Sequence, residues 1–460
     1  MKVLHIITGL GIGGAEQQLR LLLRHLPDAS CEVVTLTNPG PVADAIRADG
    51  IPVTHLGMTG NRDLTVLPRL TSLIRAGRYD IVHTHLYRAC VYGRLAARLA
   101  GVRAVVATEH SLGATQMEGR PLSAGTRALY RATEKLGAGT LAVSDTVAHR
   151  LDAWGIPGQR IHLAPNGIDP ARFRFSMTAR AATRERFGMP DDAFVVGGVG
   201  RFVASKGYDA LIRAVAAVPR AHLLLAGDGP EEIMLLRAVH ELGVAGRVRL
   251  ASPGSPDIPE LLAAMDLFVS PSPEESFGLA TIEALASGLP ALYVSCPAVE
   301  DLPAGAAPGA VRIAPDDLET AIRERMGAGA RRLPVPPALN RYDIARTAER
   351  VMALYTAAIP KPGRWRQLMR TRAAAVPVPA PSAGTAAAAV SVTGCVPARG
   401  SLPAAESAAA AGSPPPTAPA AVSVTAPGSR SAAAPAAGPG AVSVPAPVSR
   451  PTPAPAPAEK

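Results

Sequence analysis

The sequence predicts an α/β protein with two doubly wound parallel sheets in tandem. Short apolar runs alternate with amphipathic stretches, and the alternation restarts after the turn-rich segment Pro165-Asn166-Gly167-Ile168-Asp169-Pro170. Runs that are apolar throughout are typical of strands buried on both faces, and such strands separated by helices form parallel sheets. The 460 residues are also too many for one ordinary domain.

The same order of strand and helix is predicted in both halves of the chain. The predicted strands are 3–7, 32–36, 51–55, 80–83, 104–108 and 140–143, then 194–199, 222–226, 247–251, 267–270 and 290–294. The predicted helices are 15–26, 64–75, 92–99, 208–218, 231–242, 258–264 and 279–287. Helical spacing returns over 342–358. We therefore expect domains over 1–168 and 169–340, followed by a helix within 341–360.

The C-terminal part of the chain has a different composition. Residues 373–460 contain no Phe, Trp or Tyr and are rich in Pro, Ala, Val and Ser. Such a segment cannot bury enough apolar surface to offset the entropy of ordering it, so we predict a disordered tail. Before it, residues 361–372 place five cations around Trp365, Leu368 and Met369. This composition suits the surface of an anionic membrane. A solvated helix end is the alternative.

Charge and cysteine content exclude several classes of protein. The net charge of +10 is spread along the chain, so we expect no nucleic-acid partner. The four cysteines are far apart and form no CxxC pair, which predicts neither a disulfide framework nor a zinc site: Cys31, Cys90, Cys296 and Cys395. The first apolar run is short and contains His5, so it is not a convincing signal sequence. No uncharged, Pro-free run is long enough for a membrane span. A cytoplasmic location is expected.

A glycine-rich turn follows the first predicted strand. Gly9, Gly11 and Gly14 satisfy the GxGxxG spacing of dinucleotide-binding proteins. That fingerprint also needs an acid at the end of the second strand, where this chain has Leu36-Thr37-Asn38-Pro39. A dehydrogenase is therefore not predicted. The turn can bring backbone N–H groups close to an anion or a polar sugar, or it can be a tight turn without a ligand.

A second loop carries two cations at the end of the first strand of the second half. Gly200-Arg201 begins this loop and Lys206-Gly207 ends it. Ligands of doubly wound sheets bind beyond the carboxyl ends of the strands. Arg201 and Lys206 can therefore clamp a diphosphate there. Two solvated surface cations are the alternative.

The most specific motif is a pair of acids around a short predicted helix. Glu275 precedes this helix, and Glu283 lies about a turn and a half inside it. A carboxylate can accept two hydrogen bonds from a diol, and the N–H groups of Gly278 and Leu279 at the helix start suit a phosphate. The two acids could instead be the acid and base of a hydrolase, or merely charge near a helix start. The helix start between them, whose N–H groups suit a phosphate, argues against both alternatives.

Together these motifs resemble those of the group 1, family-four retaining glycosyltransferases. Besides the Glu-x7-Glu element and the Gly-Arg…Lys-Gly loop, the resemblance rests on 165–169, Gly227-Asp-Gly-Pro230 and Gly13-Gly-Ala-Glu16, in the right order over residues 1–358. It implies a GT-B fold, in which two Rossmann-like domains face a central cleft. It also implies that the helix within 341–360 crosses back to the N-terminal domain.

The resemblance further implies a role for each site residue. By this resemblance, Arg201 and Lys206 hold the donor diphosphate, Glu283 binds the ribose and Glu275 binds the donor sugar. Gly200, Gly278 and Leu279 complete the nucleotide site. Gly13, Gly14 and Glu16 shape the acceptor side, and His110 approaches the donor sugar. His83 and His85 are weaker candidates, because a histidine at a strand end is as often satisfied by the backbone. The segment 292–301 lacks the Gly-Gly turn that the family usually has before an acid.

The predicted function is retaining transfer of a hexose from a UDP- or GDP-sugar to an acceptor hydroxyl, in cell-surface polysaccharide or glycolipid synthesis. The acceptor is expected to be a sugar or lipid-linked, reached at the inner face of the plasma membrane. The chain has no Asp-x-Asp motif, so we expect neither a metal nor another cofactor. A nucleotide-sugar epimerase of the same fold and a non-catalytic sugar-nucleotide sensor are the alternatives.

Overall fold

The computed structural model describes residues 1–118, 120–252 and 257–360. The basic segment 361–372 and the tail 373–460, for which the sequence makes separate predictions, lie outside the described residues. Within the part that is described, no helix is both long and apolar enough to cross a bilayer.

The strands of the first half form one parallel sheet and one short antiparallel pair. In chain order they are β1 (Lys2–Ile7), β2 (Ser30–Thr35), β3 (Val53–His55), β4 (Ile81–His85), β5 (Val105–Glu109), β6 (Gln116–Met117), β7 (Arg120–Pro121), β8 (Gly139–Ala142) and β9 (Ile161–Leu163). The parallel sheet has the order β3-β2-β1-β4-β5-β8-β9, and β6 pairs with β7. The chain order therefore reverses between β1 and β4, which is where doubly wound sheets bind ligands.

The second half repeats this arrangement. Its strands are β10 (Phe194–Val199), β11 (Ala221–Ala226), β12 (Val248–Ala251), β13 (Leu267–Ser270), β14 (Ala291–Tyr293) and β15 (Ala310–Arg312). They form a parallel sheet in the order β12-β11-β10-β13-β14-β15. The order reverses between β10 and β13, so each sheet has its own ligand-binding edge.

Helices connect the strands of both sheets. Those of the first half are α1 (Gly14–Leu23), α2 (Gly40–Ala48), α3 (Val66–Gly77), α4 (Tyr87–Ala100), α5 (Ala124–Glu134) and α6 (Asp145–Ala153). The later helices are α7 (Met177–Arg186), α8 (Tyr208–Ala217), α9 (Glu232–Glu241), α10 (Ile258–Ala264), α11 (Leu279–Ala286), α12 (Pro297–Glu300), α13 (Leu318–Gly327) and α14 (Ile344–Ala358). The predicted α/β class with two parallel sheets is confirmed.

Helices cover the first sheet on both faces. Every residue of β4 and of β5 is buried. On one face Val3 and Ile81 pack in a cluster with Tyr355 of α14, and on the other Leu4 and Val82 pack against α3 and α4. Burial on both faces explains why these strands begin with consecutive apolar residues, Ile81-Val82 in β4 and Val105-Val106-Ala107 in β5.

The chain passes between the two sheets twice, and the two crossings are bonded to each other. The Ile168 N–H donates to the Tyr342 carbonyl over 2.7 Å, and the Ile344 N–H donates to the Ile168 carbonyl over 2.9 Å. A Cβ at Gly167 would lie 2.5 Å from the Ile344 Cα, so only glycine fits this approach. After the second crossing, α14 packs against α1 and β5 of the first half.

Candidate active site

Two helix starts, one from each half of the chain, meet across a cleft. Helix α1 begins after Gly13 and α11 after Gly278, and neither N-cap position supplies a capping side chain. A Cβ at Gly14 would lie 4.0 Å from Leu279 Cδ2, which is ordinary van der Waals contact. The positive ends of the two helix dipoles therefore face the same space, an arrangement that suits an anion.

The loops after β10 and β13 place Lys206 against Glu275. The Lys206 ammonium donates to Glu275 Oε1 over 2.5 Å, and their side chains are 28% and 14% exposed. Because β10 and β13 are neighbours at the reversal of strand order, this ion pair lies at the ligand-binding edge of the second sheet. Sequence reasoning singled out both residues but not their contact.

Arg201 is exposed and its charge acts on Glu16 of α1, across the cleft. Burial raises the pKa of Glu16, and the positive charge of Arg201 opposes that rise. Gly200 precedes Arg201 with φ +156°, and a Cβ there would lie 2.7 Å from the Tyr208 hydroxyl. The glycine thus lets the chain turn tightly after β10 and carry Arg201 into the cleft.

The Glu16 carboxylate folds back over the start of its own helix. A Cβ at Gly13 would lie 2.5 Å from Glu16 Oε2, so a larger residue would displace the carboxylate. The predicted residues Gly13, Gly14 and Glu16 therefore form one compact helix start on the side of the cleft that belongs to the first sheet.

Glu283 lies apart from Glu275, on the inner side of α11. It lines a cavity of about 50 Å³ together with Arg24, Asp169, Arg172 and Leu279. Burial raises the pKa of Glu283 to about 8, while the charge of Arg172 lowers it by a smaller amount. The two acids of the motif thus lie in different parts of the site. Glu275 lies beside Lys206 of the loop after β10, and Glu283 lies at the cavity between α1 and α11.

The segment around Glu275 is bonded to the first half of the chain on both sides. Ser276 Oγ donates to the His110 carbonyl over 2.5 Å, and the Ser276 carbonyl accepts from Ser144 Oγ over 2.7 Å. Glu274 accepts a hydrogen bond from the Ala114 N–H and forms an ion pair with Arg150. These contacts hold Glu275 close to His110.

Sequence reasoning did not identify the partners of this segment. Ser144 and Arg150 belong to no motif, and Glu274 and Ser276 drew no separate attention beside Glu275. In the sequence, Glu274 and Ser276 could have been noticed only because they adjoin Glu275. Ser144 and Arg150 carried no such signal.

The unusual segment 292–301 packs beneath the start of α11. Its short helix α12 begins after Cys296, whose N–H donates to Glu300 Oε1 over 3.2 Å. A Cβ at Gly278 would collide with the Cys296 thiol. Burial raises the pKa of this thiol to about 12. Cys296 is therefore a packing residue under the helix start, where it occupies space beside Gly278.

Two family descriptions match consecutive parts of the chain. Glycosyltransferase Family 4 matches residues 12–172, and Glycosyl transferases group 1 matches residues 179–324. The chain belongs to the group 1, family-four glycosyltransferases. It is 31% identical to a D-inositol 3-phosphate glycosyltransferase of Salinispora arenicola over 331 residues, which are 63% of this chain and 71% of that protein.

Other relatives of this chain differ in the substrates that they are named for. A GDP-mannose-dependent alpha-mannosyltransferase of Mycobacterium tuberculosis is 30% identical over 63% of this chain and 78% of its own length. Three further proteins named D-inositol 3-phosphate glycosyltransferases match over only 66%, 64% and 60% of their own length.

The solved structures show the fold. Anabaena Alr3699/HepE, crystallised with UDP and glucose, has a TM-score of 0.68 and 21% sequence identity over 78% of this chain and all of that chain. The two parallel sheets of this chain therefore form the GT-B fold that the resemblance implied.

Proposed function

We propose that the protein transfers a sugar from a nucleoside diphosphate sugar to an acceptor hydroxyl with retention of configuration. The observation that carries this proposal is the Lys206–Glu275 ion pair at the ligand-binding edge of the second sheet. A cation for a diphosphate and an acid for a sugar lie side by side there. Such a pair suits a ligand in which sugar and diphosphate are joined.

The nucleotide would occupy the cleft side of the second sheet. Arg201, Lys206 and the N–H groups of Gly278 and Leu279 would hold the diphosphate, and Glu283 would accept hydrogen bonds from the ribose diol. UDP- and GDP-sugars are the favoured donors, because the solved relative binds UDP and a mycobacterial relative is named for GDP-mannose.

The chemistry would depend mainly on electrostatic stabilisation. When the bond between sugar and diphosphate breaks, negative charge grows on the leaving phosphate, next to Arg201, Lys206 and the start of α11. The acceptor oxygen would bond to the sugar from the same face through an oxocarbenium-like state, with Glu275 and His110 beside the sugar, and the hydroxyl proton would pass to the leaving diphosphate. These cations and N–H groups would do the work of a metal, so we propose a reaction without a metal or another cofactor.

The acceptor would lie on the side of Gly13, Gly14 and Glu16. A sugar or lipid-linked acceptor at the cytoplasmic face of the membrane would fit a role in cell-surface polysaccharide or glycolipid synthesis. The composition of 361–372, with five cations around three apolar side chains, supports contact with anionic lipid.

A thermal-shift panel of UDP-, GDP- and ADP-sugars with the full chain tests donor binding. Bound donor raises the melting temperature by mass action. The donor that shifts it is then incubated with candidate acceptors, and released nucleoside diphosphate is measured. Transfer that requires both donor and acceptor supports the proposal. An epimerised donor without acceptor, or binding without turnover, would contradict it and favour the epimerase or the sensor.

A further inference from the structure

A row of buried histidines leads from the middle of the first sheet to the candidate active site. His5 on β1 is the register partner of His83 on β4, and His85 lies two residues further along the same face. His85 pairs in register with Thr108 on β5, and His110 follows two residues later. The row, His5, His83, His85 and His110, therefore ends at the carboxyl edge of the sheet, where Ser276 contacts the His110 carbonyl.

Three of these rings are joined by side-chain hydrogen bonds. His85 Nδ1 lies 3.2 Å from His110 Nε2, and His85 Nε2 lies 3.1 Å from His5 Nδ1. Both nitrogens of His85 are thus used. His5 is 0%, His85 1% and His110 8% exposed, so water does not replace these bonds.

All three rings are neutral near pH 7. Burial lowers the pKa of His5 to about 3, that of His85 well below its usual value and that of His110 to about 4. A neutral imidazole has one donor nitrogen and one acceptor nitrogen. The position of the proton on His85 therefore sets the position of the proton on both neighbours.

The two ends of the chain of rings are alike. His5 Nε2 and His110 Nδ1 are both buried, and neither has a hydrogen-bond partner among the described residues. If His5 donates from Nδ1 to His85, then His85 donates to His110 Nε2 and the His110 proton lies on Nδ1. In the opposite direction, His110 and His5 both carry their proton on Nε2. His110 can therefore change its tautomer only together with His5 and His85.

A polar side chain lies beside the ring of His110. Asn166 lines the same small cavity as His110 and His85. Burial lowers the pKa of His110, and the Asn166 side chain opposes that fall by a smaller amount. Asn166 therefore adds a polar neighbour without fixing which nitrogen of His110 carries the proton.

His83 belongs to a separate pair of contacts. Its Nδ1 lies 2.6 Å from the Tyr355 hydroxyl of α14, and its Nε2 lies 2.7 Å from Thr108 Oγ1. A metal ion is the competing interpretation, because ligand nitrogens of His5, His83 and His85 lie within 4.8 Å of one another. A metal takes one nitrogen of each ring, so it would have to break one of these two short bonds of His83 and one of the two bonds of His85. The hydrogen-bonded arrangement already satisfies both nitrogens of His83 and of His85.

We propose that His5 and His85 are positioning residues that hold the His110 ring in one orientation at the edge of the cleft and couple its tautomer to their own. This inference rests on the proposed function, in which His110 lies beside the donor sugar. Without the bond to His85, the His110 ring can turn over and carry its proton on either nitrogen. The fraction of molecules with the productive ring then falls.

Imidazole ¹⁵N spectroscopy of the full chain, labelled at histidine, tests the inference without any substrate. The His110 signals are assigned by their loss in His110→Asn. We expect the wild type and His5→Asn to share one ratio of His110 tautomers, because an amide can donate to or accept from His85 Nε2 as the His5 ring does. His5→Phe can do neither and should change that ratio. Tyr355→Phe removes only the partner of His83 and is the matched control, with an unchanged His110 tautomer.

Kinetics provide a second readout for the same variants. With a donor and acceptor that support turnover, His5→Phe should lower kcat about tenfold with an unchanged KM for donor, as expected when one orienting hydrogen bond is lost. His5→Asn should restore most of the loss. If no transfer occurs at all, the proposed function fails while the tautomer result still decides the inference.

Three results would overturn the inference. A positively charged His110 ring in the wild type at pH 7 would contradict the chain of neutral, linked rings. An unchanged tautomer in folded His5→Phe would remove His5 from its role. A stoichiometric metal ion in the purified wild-type protein, measured by elemental analysis, would replace the hydrogen-bonded chain with a metal site.

Discussion

Lys206 and Glu275, which lie 69 positions apart in the chain, form a 2.5 Å ion pair in this structure. The cation expected for the donor diphosphate therefore neutralises the acid expected for the donor sugar. A bound nucleotide sugar has to share or replace this contact. The two side chains are thus already in place for the donor, but in the free protein they bind each other.

The diphosphate clamp gives the first prediction. Arg201→Ala and Lys206→Ala should each lower kcat about 10²–10³-fold, the usual loss when one stabiliser of transition-state charge is removed. Steady-state kinetics measure this change. Arg213→Ala is the matched control, because Arg213 is an exposed cation of α8 that pairs with Asp209 away from the cleft. Near-normal turnover in both folded clamp variants would remove the clamp from the mechanism.

Metal independence gives the second prediction. Activity should persist in excess EDTA, because the proposed mechanism places cationic side chains and helix N–H groups at the leaving phosphate. The measurement is the initial rate before and after chelation, with the same protein passed through a desalting column as a control. Loss of activity that Mn²⁺ restores would contradict the proposal.

The two acids of the motif should differ in what they bind. At pH 9, where its carboxyl is mostly ionised, Glu283→Ala should weaken binding of free UDP or GDP by roughly 1–3 kcal/mol, the cost of a lost charged hydrogen bond. Glu275→Ala should leave nucleotide affinity nearly intact and slow transfer instead. Titration calorimetry separates the two effects, and the reverse order would show that the assignment of the acids is wrong.

The raised pKa of Glu283 adds a pH dependence to nucleotide binding. With a pKa of about 8, most Glu283 side chains are protonated at neutral pH in the free protein. A ribose diol donates to the ionised form, so UDP affinity should rise by up to about tenfold from pH 7 to pH 9 as the carboxyl loses its proton. Glu283→Gln cannot ionise, so its pH profile of UDP affinity shows the contribution of other titrating groups. Equal pH profiles for the two proteins would contradict the role of Glu283.

Gln18 gives a prediction about stability. Its side-chain amide donates to the Gly167 carbonyl over 2.5 Å and accepts from the Gly167 N–H over 2.8 Å, which ties α1 to the first crossing between the sheets. Gln18→Ala should lower the free energy of unfolding by about 2 kcal/mol, because two backbone groups lose their partner. Urea denaturation measures it, with the exposed neighbour Gln17→Ala as control. Equal stability of the two variants would show that this tie is unimportant.

The basic segment gives the last prediction. A chain that ends at residue 372 should sediment with anionic vesicles at low salt and less at high salt, because each basic residue contributes about 1 kcal/mol near such a surface. A chain that ends at 360 should bind less. Neutral vesicles are the control. Equal, negligible binding of both chains would eliminate the membrane role, and both should keep activity on a soluble acceptor.

The sequence predicts best those elements whose signal is local. Strands β10 and β13 have the predicted limits, and α11 differs by one residue, because apolar runs and glycine or proline residues mark their ends. Helix α7 was missed because it lacks an apolar stripe. Its buried side chains are Thr183 and Arg184, and the Arg184 guanidinium bonds to Asp266 over 2.7 Å.

The sequence could identify candidate site residues, but it could not predict which of them contact each other. Nothing in the local pattern shows that Lys206 meets Glu275 or that Ser276 meets His110, since these pairs form only when the loops converge. His83 and His85 illustrate the limit further. The side-chain bonds of His83 to Tyr355 and of His85 to His5 join residues from distant parts of the chain.

The late return of α14 to the first sheet has a consequence for biosynthesis. The ribosome completes all strands of the first sheet before the second sheet begins, but the helix that supplies Val351, Leu354 and Tyr355 to its core emerges only after the second sheet is finished. Until then, the nascent first half exposes a largely apolar face on which His5, His83 and His85 lie. The N-terminal half is thus a discontinuous folding unit, and a fragment that ends at the first crossing would be prone to aggregation unless α14 were supplied with it.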